Sequence, residues 1–126
     1  MVKLTCLVRR RPGMSPEEFH TYWREHHAPL VASTTSGSHV VRYVQHHRSL
    51  DDYSGPDDAG FDGVTEQWFT SMDEYRAHIA EPDFQTVWAD VESFLDVDRL
   101  FFVLTEDPVV VVPGAVPEAE QESAGS

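Results

Sequence analysis

The sequence predicts an α+β fold of β-α-β-β-α-β order, a four-stranded antiparallel sheet with helices on one face, the split-βαβ or ferredoxin-like arrangement. Three observations carry this. Residues 2–9 alternate with period two, residues 39–48, 64–69 and 100–104 are rich in β-branched and aromatic side chains, and two Ser-x-x-Glu sequences each open a helical pattern.

The elements follow in order. Val2, Leu4, Cys6 and Val8 form the apolar face of the first strand, which Pro12-Gly13 ends. Ser15-Pro16-Glu17-Glu18 supplies an N-cap, a proline at the first helical position and a capping box. Phe19, Trp23, His26 and Leu30 then recur at helical spacing, with Tyr22 and His27 at the margins of the stripe. Pro29 lacks a donor and crowds the carbonyl four residues back, so the helix is expected to kink or end near Glu25 or His26. Residues 33–38 read as a linker and 39–48 as the second strand. Residues 50–63, with Gly, Pro and five Asp, form a long loop of the kind that serves as a lid or is disordered. The third strand, 64–69, is followed by the second capping box at Ser71–Glu74, a short helix with Tyr75 and Ile79, and a break at Pro82. The strongest amphipathic helix comes next, with Phe84, Val87, Trp88, Val91, Phe94 and Leu95, and then the fourth strand. Residues 1–106 form the domain and 107–126 an extension. In the extension, 107–113 contains a valine run suited to an edge strand or a dimer arm, and 114–126 reads as a disordered acidic tail.

Trp68 and Phe69 are adjacent and therefore face opposite sides of the third strand. One helical layer covers only one side, so a second copy of the chain is expected on the other and the protein is expected to be a homodimer.

Charge bounds the partners. The net charge is −13, with seven Lys/Arg against three acids in residues 1–48 and two Arg against nineteen acids in residues 49–126. Such a surface repels nucleic acid. Arg9-Arg10-Arg11 is the only basic cluster and reads as a solvated strand end. No apolar run spans a membrane, and the chain enters its first strand without an apolar leader. With a single Cys6, read as a buried inert thiol, this points to a reducing cytoplasmic setting. The adjacent pairs His26-His27 and His46-His47 diverge, and no His stands four residues from another on a helix, so no metal site is expected. Phosphate loops, dinucleotide fingerprints and nucleophile elbows are absent, and no cofactor is implied.

Three segments stand out together: residues 19–30 (FHTYWREHHAPL), residues 61–69 (FDGVTEQWF) followed by Ser71, and Asp90, Phe94 and Asp96. In this order they resemble the EthD family over about residues 2–106. The resemblance implies a dimeric α+β barrel with a cavity between sheet and helices, in a superfamily that includes 4-methylmuconolactone methylisomerase, polyketide cyclases, dehydratases and cofactor-free monooxygenases. It also implies site residues. His27 matches a histidine of the methylisomerase-like site, where imidazole can act as general acid or base near neutral pH. Helical geometry places His26 nearer the centre of the stripe, and the register across Pro29 decides between the two. Tyr43 matches a tyrosine able to polarise a carbonyl. Gln67 stands where the methylisomerase has a cysteine, so a thiol is missing and a polar ligand contact remains. His47 shares the face of Tyr43, and Trp23 is either core or ligand wall.

The expected activity is therefore that of a cofactor-free cyclase, isomerase or lyase acting on a hydrophobic oxygenated small molecule such as a polyketide or lactone. A cofactor-free oxygenase forming quinones, or a non-catalytic binding or accessory protein, is the alternative.

Overall fold

The computed structural model describes residues 1–115. Four strands, β1 (Val2–Val8), β2 (Arg42–His47), β3 (Gly63–Phe69) and β4 (Phe101–Glu106), form one antiparallel sheet in the order β2-β3-β1-β4. The helices α1 (Pro16–Tyr22), α2 (Ala28–Ser33), α3 (Met72–Ala80) and α4 (Phe84–Phe94) connect the strands, and α1 and α4 supply the helical side of the core. This is the β-α-β-β-α-β arrangement, with the second helical region split at Pro82 as its missing donor requires. Among the described residues no helix is long and apolar enough to cross a membrane.

Local chemistry sets the helix starts. Ser15 Oγ accepts from the Glu18 N–H at 3.1 Å while the Glu18 carboxylate accepts from the Ser15 N–H at 3.4 Å, a complete capping box. At the second site Ser71 caps the Glu74 N–H, but the Glu74 carboxylate turns to the His39 Nδ1 at 2.7 Å. That box is therefore half made.

Val2, Cys6 and Val8 of β1 are buried beneath Phe19, Trp23, Phe94 and Leu95, which close the core. Gly63 is required there. A Cβ at this position would lie 2.6 Å from the Trp23 ring and 2.5 Å from the His46 carbonyl oxygen, so the indole rests directly on β3 backbone. Cys6 is buried and burial pushes its thiol up to about 11, which keeps it protonated.

Several expectations need correction. First, of the kink or end expected near Glu25 or His26, there is no end: the helical path continues. A π turn, Trp23–His27, joins α1 to α2 and carries the chain on to Ser33. The wider turn lets the Ala28 N–H reach the Trp23 carbonyl and places Pro29 in the first turn of α2, where its missing donor costs nothing. Second, the arginine cluster is not a solvated strand end. Arg10 is 3% exposed and Asp62 is fully buried. The Arg10 N–H and Nη1 donate to Asp62 at 2.8 and 2.6 Å, and Arg9 Nη1 adds a bond of 3.0 Å. A buried carboxylate needs such partners. Third, the loop over residues 50–63 is held in place. Arg48 grips Asp58 through two bonds of 2.9 Å and stacks on the Tyr53 ring at 4.2 Å. Fourth, residues 109–112 form no strand, and their valines stand 70–87% exposed. The second strand is also shorter than expected, because Ser36–His39 close a 3₁₀ turn. The disordered tail expected over 114–126 lies, from residue 116 on, outside the described residues.

The sheet face away from the helices carries Leu7, Val64, Trp68, Phe101 and Val103. Leu7, Phe101 and Val103 are 38%, 56% and 55% exposed. On the same face Glu66 accepts from Lys3 at 2.7 Å and pairs with His46 at 2.5 Å, so this carboxylate is not alone.

Candidate active site

A cavity of about 170 Å³ lies between the helical face of the sheet and helices α2, α3 and α4. Its walls are mostly apolar, with Phe84, Val87, Trp88 and Val91 on the helical side, and Trp23 of the π turn closes part of it. The polar side chains on it include His27, Tyr43, Gln67 and His78. A largely apolar pocket with a few converging polar groups is the general form of a small-molecule site.

The π turn settles the histidine register. Widening a helical turn carries the residue three places after Trp23 off the buried stripe and brings the fourth onto it. His27 is accordingly buried at the cavity, and His26 is exposed, stacked on the Tyr22 ring at 5.0 Å in a surface groove with Met14 and Glu17. His26 is thus placed away from the cavity, contrary to its expected contact with ligand.

His27 is held in one tautomer. Its Nδ1 lies 2.7 Å from Asp90 Oδ2, and the Tyr22 hydroxyl donates to the other oxygen of the same carboxylate. A carboxylate only accepts, so Nδ1 carries the proton and Nε2 keeps a free lone pair. Nε2 makes no hydrogen bond to any described residue. Burial lowers the His27 pKa below its usual 6.5, partly opposed by Asp90, so the ring is neutral at pH 7. The arrangement is a base with an orienting carboxylate behind it.

Tyr43 lies on β2 directly opposite Gln67 on β3. The Tyr43 oxygen accepts from Gln45 Nε2 at 3.2 Å, and the same amide nitrogen donates to the Trp23 carbonyl at 3.0 Å. With its oxygen so engaged, the Tyr43 O–H proton is free for a ligand. Burial raises the Tyr43 pKa above 10, which keeps that proton in place. Gln67 Oε1 is buried with no protein partner among the described residues, an acceptor left open at the cavity wall.

His47 lies on the same face of β2 but behind the cavity wall, packed on the Trp23 ring at 4.3 Å. Its Nε2 donates to Gln45 Oε1 at 2.8 Å, and its Nδ1 lies 2.7 Å from His20 Nδ1. His20 Nε2 donates to the Tyr53 oxygen at 2.9 Å, and Tyr53 donates to Asp62 at 2.6 Å. Three bonds made by the two rings need three ring protons, one more than two neutral imidazoles carry. Burial lowers the pKa of both rings, and with His20 and Arg24 nearby it pushes His47 down to about 4, so near pH 7 the pair is neutral and one of these contacts lacks a proton. A chain of close polar contacts runs from buried Asp62 to Tyr43. His47 is a member of this chain and does not line the cavity.

Of the six sequence-derived residues, His27, Tyr43, Gln67 and Trp23 meet at one cavity, while His26 and His47 do not. Sequence reasoning missed Asp90 as the His27 partner and His78 as a wall residue. Asp90 had a signal: it stands three residues after Val87 and four before Phe94, an acid on the buried stripe of α4. His78 follows Tyr75 by three on α3. Among the described residues no three His, Cys, Asp or Glu side chains converge in a metal set.

The model of the EthD domain matches residues 11–98. The chain is 31% identical over 106 residues to the dehydratase UstZ of Ustilaginoidea virens, covering 76% of each protein. Three solved structures share the fold at low identity. An ethyl tert-butyl ether degradation (EthD) family protein from Bacillus halodurans has TM-score 0.62 at 16% identity, covering 86% of this chain and 99% of that one. SnoaB of Streptomyces nogalater, a cofactor-independent oxygenase, has TM-score 0.59 at 17%, covering 90% and 97%. A dimeric ferredoxin-like protein from Bacteroides fragilis has TM-score 0.60 at 12%, covering 84% and 95%.

Proposed function

This chain belongs to the family of EthD domains, and on that footing we propose that it is a small-molecule enzyme of cyclase, isomerase or lyase type, working without a cofactor, in which His27 is the general base. The observation that carries the proposal is His27 itself: a neutral imidazole whose Nδ1 is pinned by Asp90 and whose Nε2 is left free at a mostly apolar cavity. The substrate is a hydrophobic molecule bearing oxygen. His27 Nε2 takes a proton from it, and the Tyr43 O–H donates to the oxygen on which negative charge develops. If the reaction is an elimination, as the dehydratase relative suggests, His27 Nε2 takes the proton beside a carbonyl that Tyr43 polarises, the carbon–oxygen bond to the leaving hydroxyl breaks, and the proton taken by His27 is delivered to that hydroxyl, which departs as water. Gln67 offers an acceptor to a hydroxyl of the substrate.

A second reading rests on the same base. Deprotonation of an electron-rich hydroxylated ring by His27 produces an anion that can react with molecular oxygen, the chemistry suggested by the oxygenase fold neighbour. Oxygen uptake with substrate separates the two readings.

The working unit is proposed to be a homodimer in the reducing cytoplasm. Leu7, Phe101 and Val103 leave an apolar sheet face exposed, and a second copy is its proposed cover. The exposed valines at 109–112 suit an arm that crosses to that copy.

The test is His27→Asn, in which the amide N–H keeps the bond to Asp90 and the free imidazole nitrogen is lost. The variant is expected to remain folded and to lose turnover by about 10²–10⁴. Unchanged turnover would reject His27 as the base.

A further inference from the structure

His78 is a second imidazole at the cavity, and nothing in the scheme above uses it. It is 5% exposed and packed between the rings of Phe69 at 5.2 Å and Phe84 at 5.4 Å. Its Nδ1 lies 2.7 Å from the backbone carbonyl of Ser36. A carbonyl has no proton to give, so Nδ1 must carry one. The Ser36 hydroxyl lies 3.0 Å from the same nitrogen but spends its own proton on the His78 carbonyl at 2.8 Å, so it too can only accept from Nδ1. Ser36 is fully buried, and Asp83 accepts its N–H at 2.9 Å, which anchors this support. The tautomer of His78 is therefore fixed as that of His27 is, with the proton on Nδ1 and a lone pair on Nε2. That nitrogen makes no hydrogen bond to any described residue. Burial lowers the His78 pKa, in the same sense as for His27, and the ring is neutral.

The two imidazoles approach the cavity from different ends of the sheet. His27 rests on Phe94, in the cluster that covers Cys6 and Val8. His78 rests on Phe69, whose strand partner is Val2. Gln67, paired with Leu4, lies between them and adds its unpartnered Oε1. The cavity thus offers three acceptors, the two imidazole Nε2 atoms and Gln67 Oε1, beside donors on Tyr43, the Gln67 amide and the Trp88 indole. The hydroxyls of Thr65 and Tyr75 on the same wall can serve either way. A ligand that satisfies the two imidazole nitrogens must bring two donors. The volume of about 170 Å³ limits its size, since a cavity of about 150 Å³ holds one benzene ring.

We infer that the cavity takes a single hydroxylated ring that donates one O–H to His27 Nε2 and a second to His78 Nε2, which makes His78 a ligand-binding and specificity-determining residue. The inference rests on the reading of this cavity as the substrate site and narrows the substrate to a small polyhydroxylated ring.

Calorimetric titration tests it with named probes: catechol, resorcinol and hydroquinone, the corresponding methoxyphenols and the corresponding dimethoxybenzenes. At least one dihydroxybenzene is expected to bind more tightly than its dimethyl ether, and the preferred isomer reports the spacing of the two nitrogens. His78→Asn retains an N–H for the Ser36 carbonyl while removing the free acceptor, and His27→Asn does the same toward Asp90. Either variant is expected to weaken the preferred dihydroxybenzene by roughly 2- to 10-fold, the worth of one hydrogen bond. The methoxyphenol is expected to lose affinity in one variant at most, and the dimethoxybenzene in neither. Equal affinity for dihydroxy and dimethoxy rings, or an equal loss for all three ligands in the His78 variant, overturns this inference and leaves the cavity reading intact. Failure of every ring compound to bind overturns both.

Discussion

Asp90→Asn is the change that most cleanly separates a catalytic His27 from a merely buried one. Asp90 receives the Tyr22 hydroxyl on Oδ1 and the His27 Nδ1–H on Oδ2, at 2.7 Å for the latter. The Tyr22 proton holds the carbonyl end of the new amide, which turns its NH₂ toward His27. The imidazole then has to accept at Nδ1, and its proton moves to Nε2, where it occupies the lone pair that faces the cavity. The side chains of both partners are largely buried, 7% and 14% exposed. Loss of the charge-assisted bond therefore costs about 1.5–3 kcal/mol, and a chain of this length should melt several degrees lower, roughly 5–10 °C. Turnover is expected to fall toward that of a His27 variant, on the order of 10²–10⁴, with KM little changed. Nitrogen-15 NMR of the histidine rings reads the tautomer directly and needs no substrate. The wild type should show the Nδ1–H form at His27 and the variant the Nε2–H form. A variant that keeps the Nδ1–H form, or retains full turnover in the Nε2–H form, would refute the reasoning.

Acidification should destabilise the protein. His20, His27, His47 and His78 are all shifted below 6.5, chiefly by burial. Their contribution is fully present above about pH 6.5 and is lost as pH falls through the lowered values; chemical denaturation between pH 7.5 and 5 checks the sign. His39, raised by Glu81 and Glu74, works in the opposite sense. In catalysis the same shift at His27 predicts that kcat/KM rises with pH to a plateau, with its inflection below 6.5. Gly63→Ala sets a methyl against the Trp23 ring and should cost about 1–3 kcal/mol, measured by urea unfolding, whereas a surface substitution of similar size should cost under ~0.5 kcal/mol. Phe101→Glu places a charge on the open sheet face and should yield monomers by light scattering, while the same change at exposed Val97, beyond the C-terminal end of α4, should leave the assembly intact.

What was legible in the sequence was whatever local chemistry determines. The Ser15 box, the alternation in β1, the opposed faces of Trp68 and Phe69 and the break at Pro82 each depend on residues within a few positions of one another. The resemblance of residues 19–30 then pointed to His27, and the structure shows why the bare helical stripe pointed to His26: an α-helical period cannot anticipate a π turn that Pro29 and the Trp23 carbonyl settle together. The rest depends on partners far away in the chain. Arg10 reads as surface until Asp62 arrives from 52 residues on, and Glu74 reads as a capping residue until His39 takes its carboxylate. His78 has no sequence signal for its tautomer, because the deciding carbonyl belongs to Ser36, 42 residues earlier. Pairings over such distances are set by the sheet topology, and no periodicity or spacing contains them.

The most direct test of the central claim is a crystal structure of the protein soaked with the tightest-binding dihydroxybenzene. The account predicts the ring in the cavity between sheet and helices, one oxygen within about 3 Å of His27 Nε2 and Asp90 still bonded to Nδ1. A cavity filled by its own side chains, or a ring bound with His27 turned away from it, would contradict the assignment of His27 as the base.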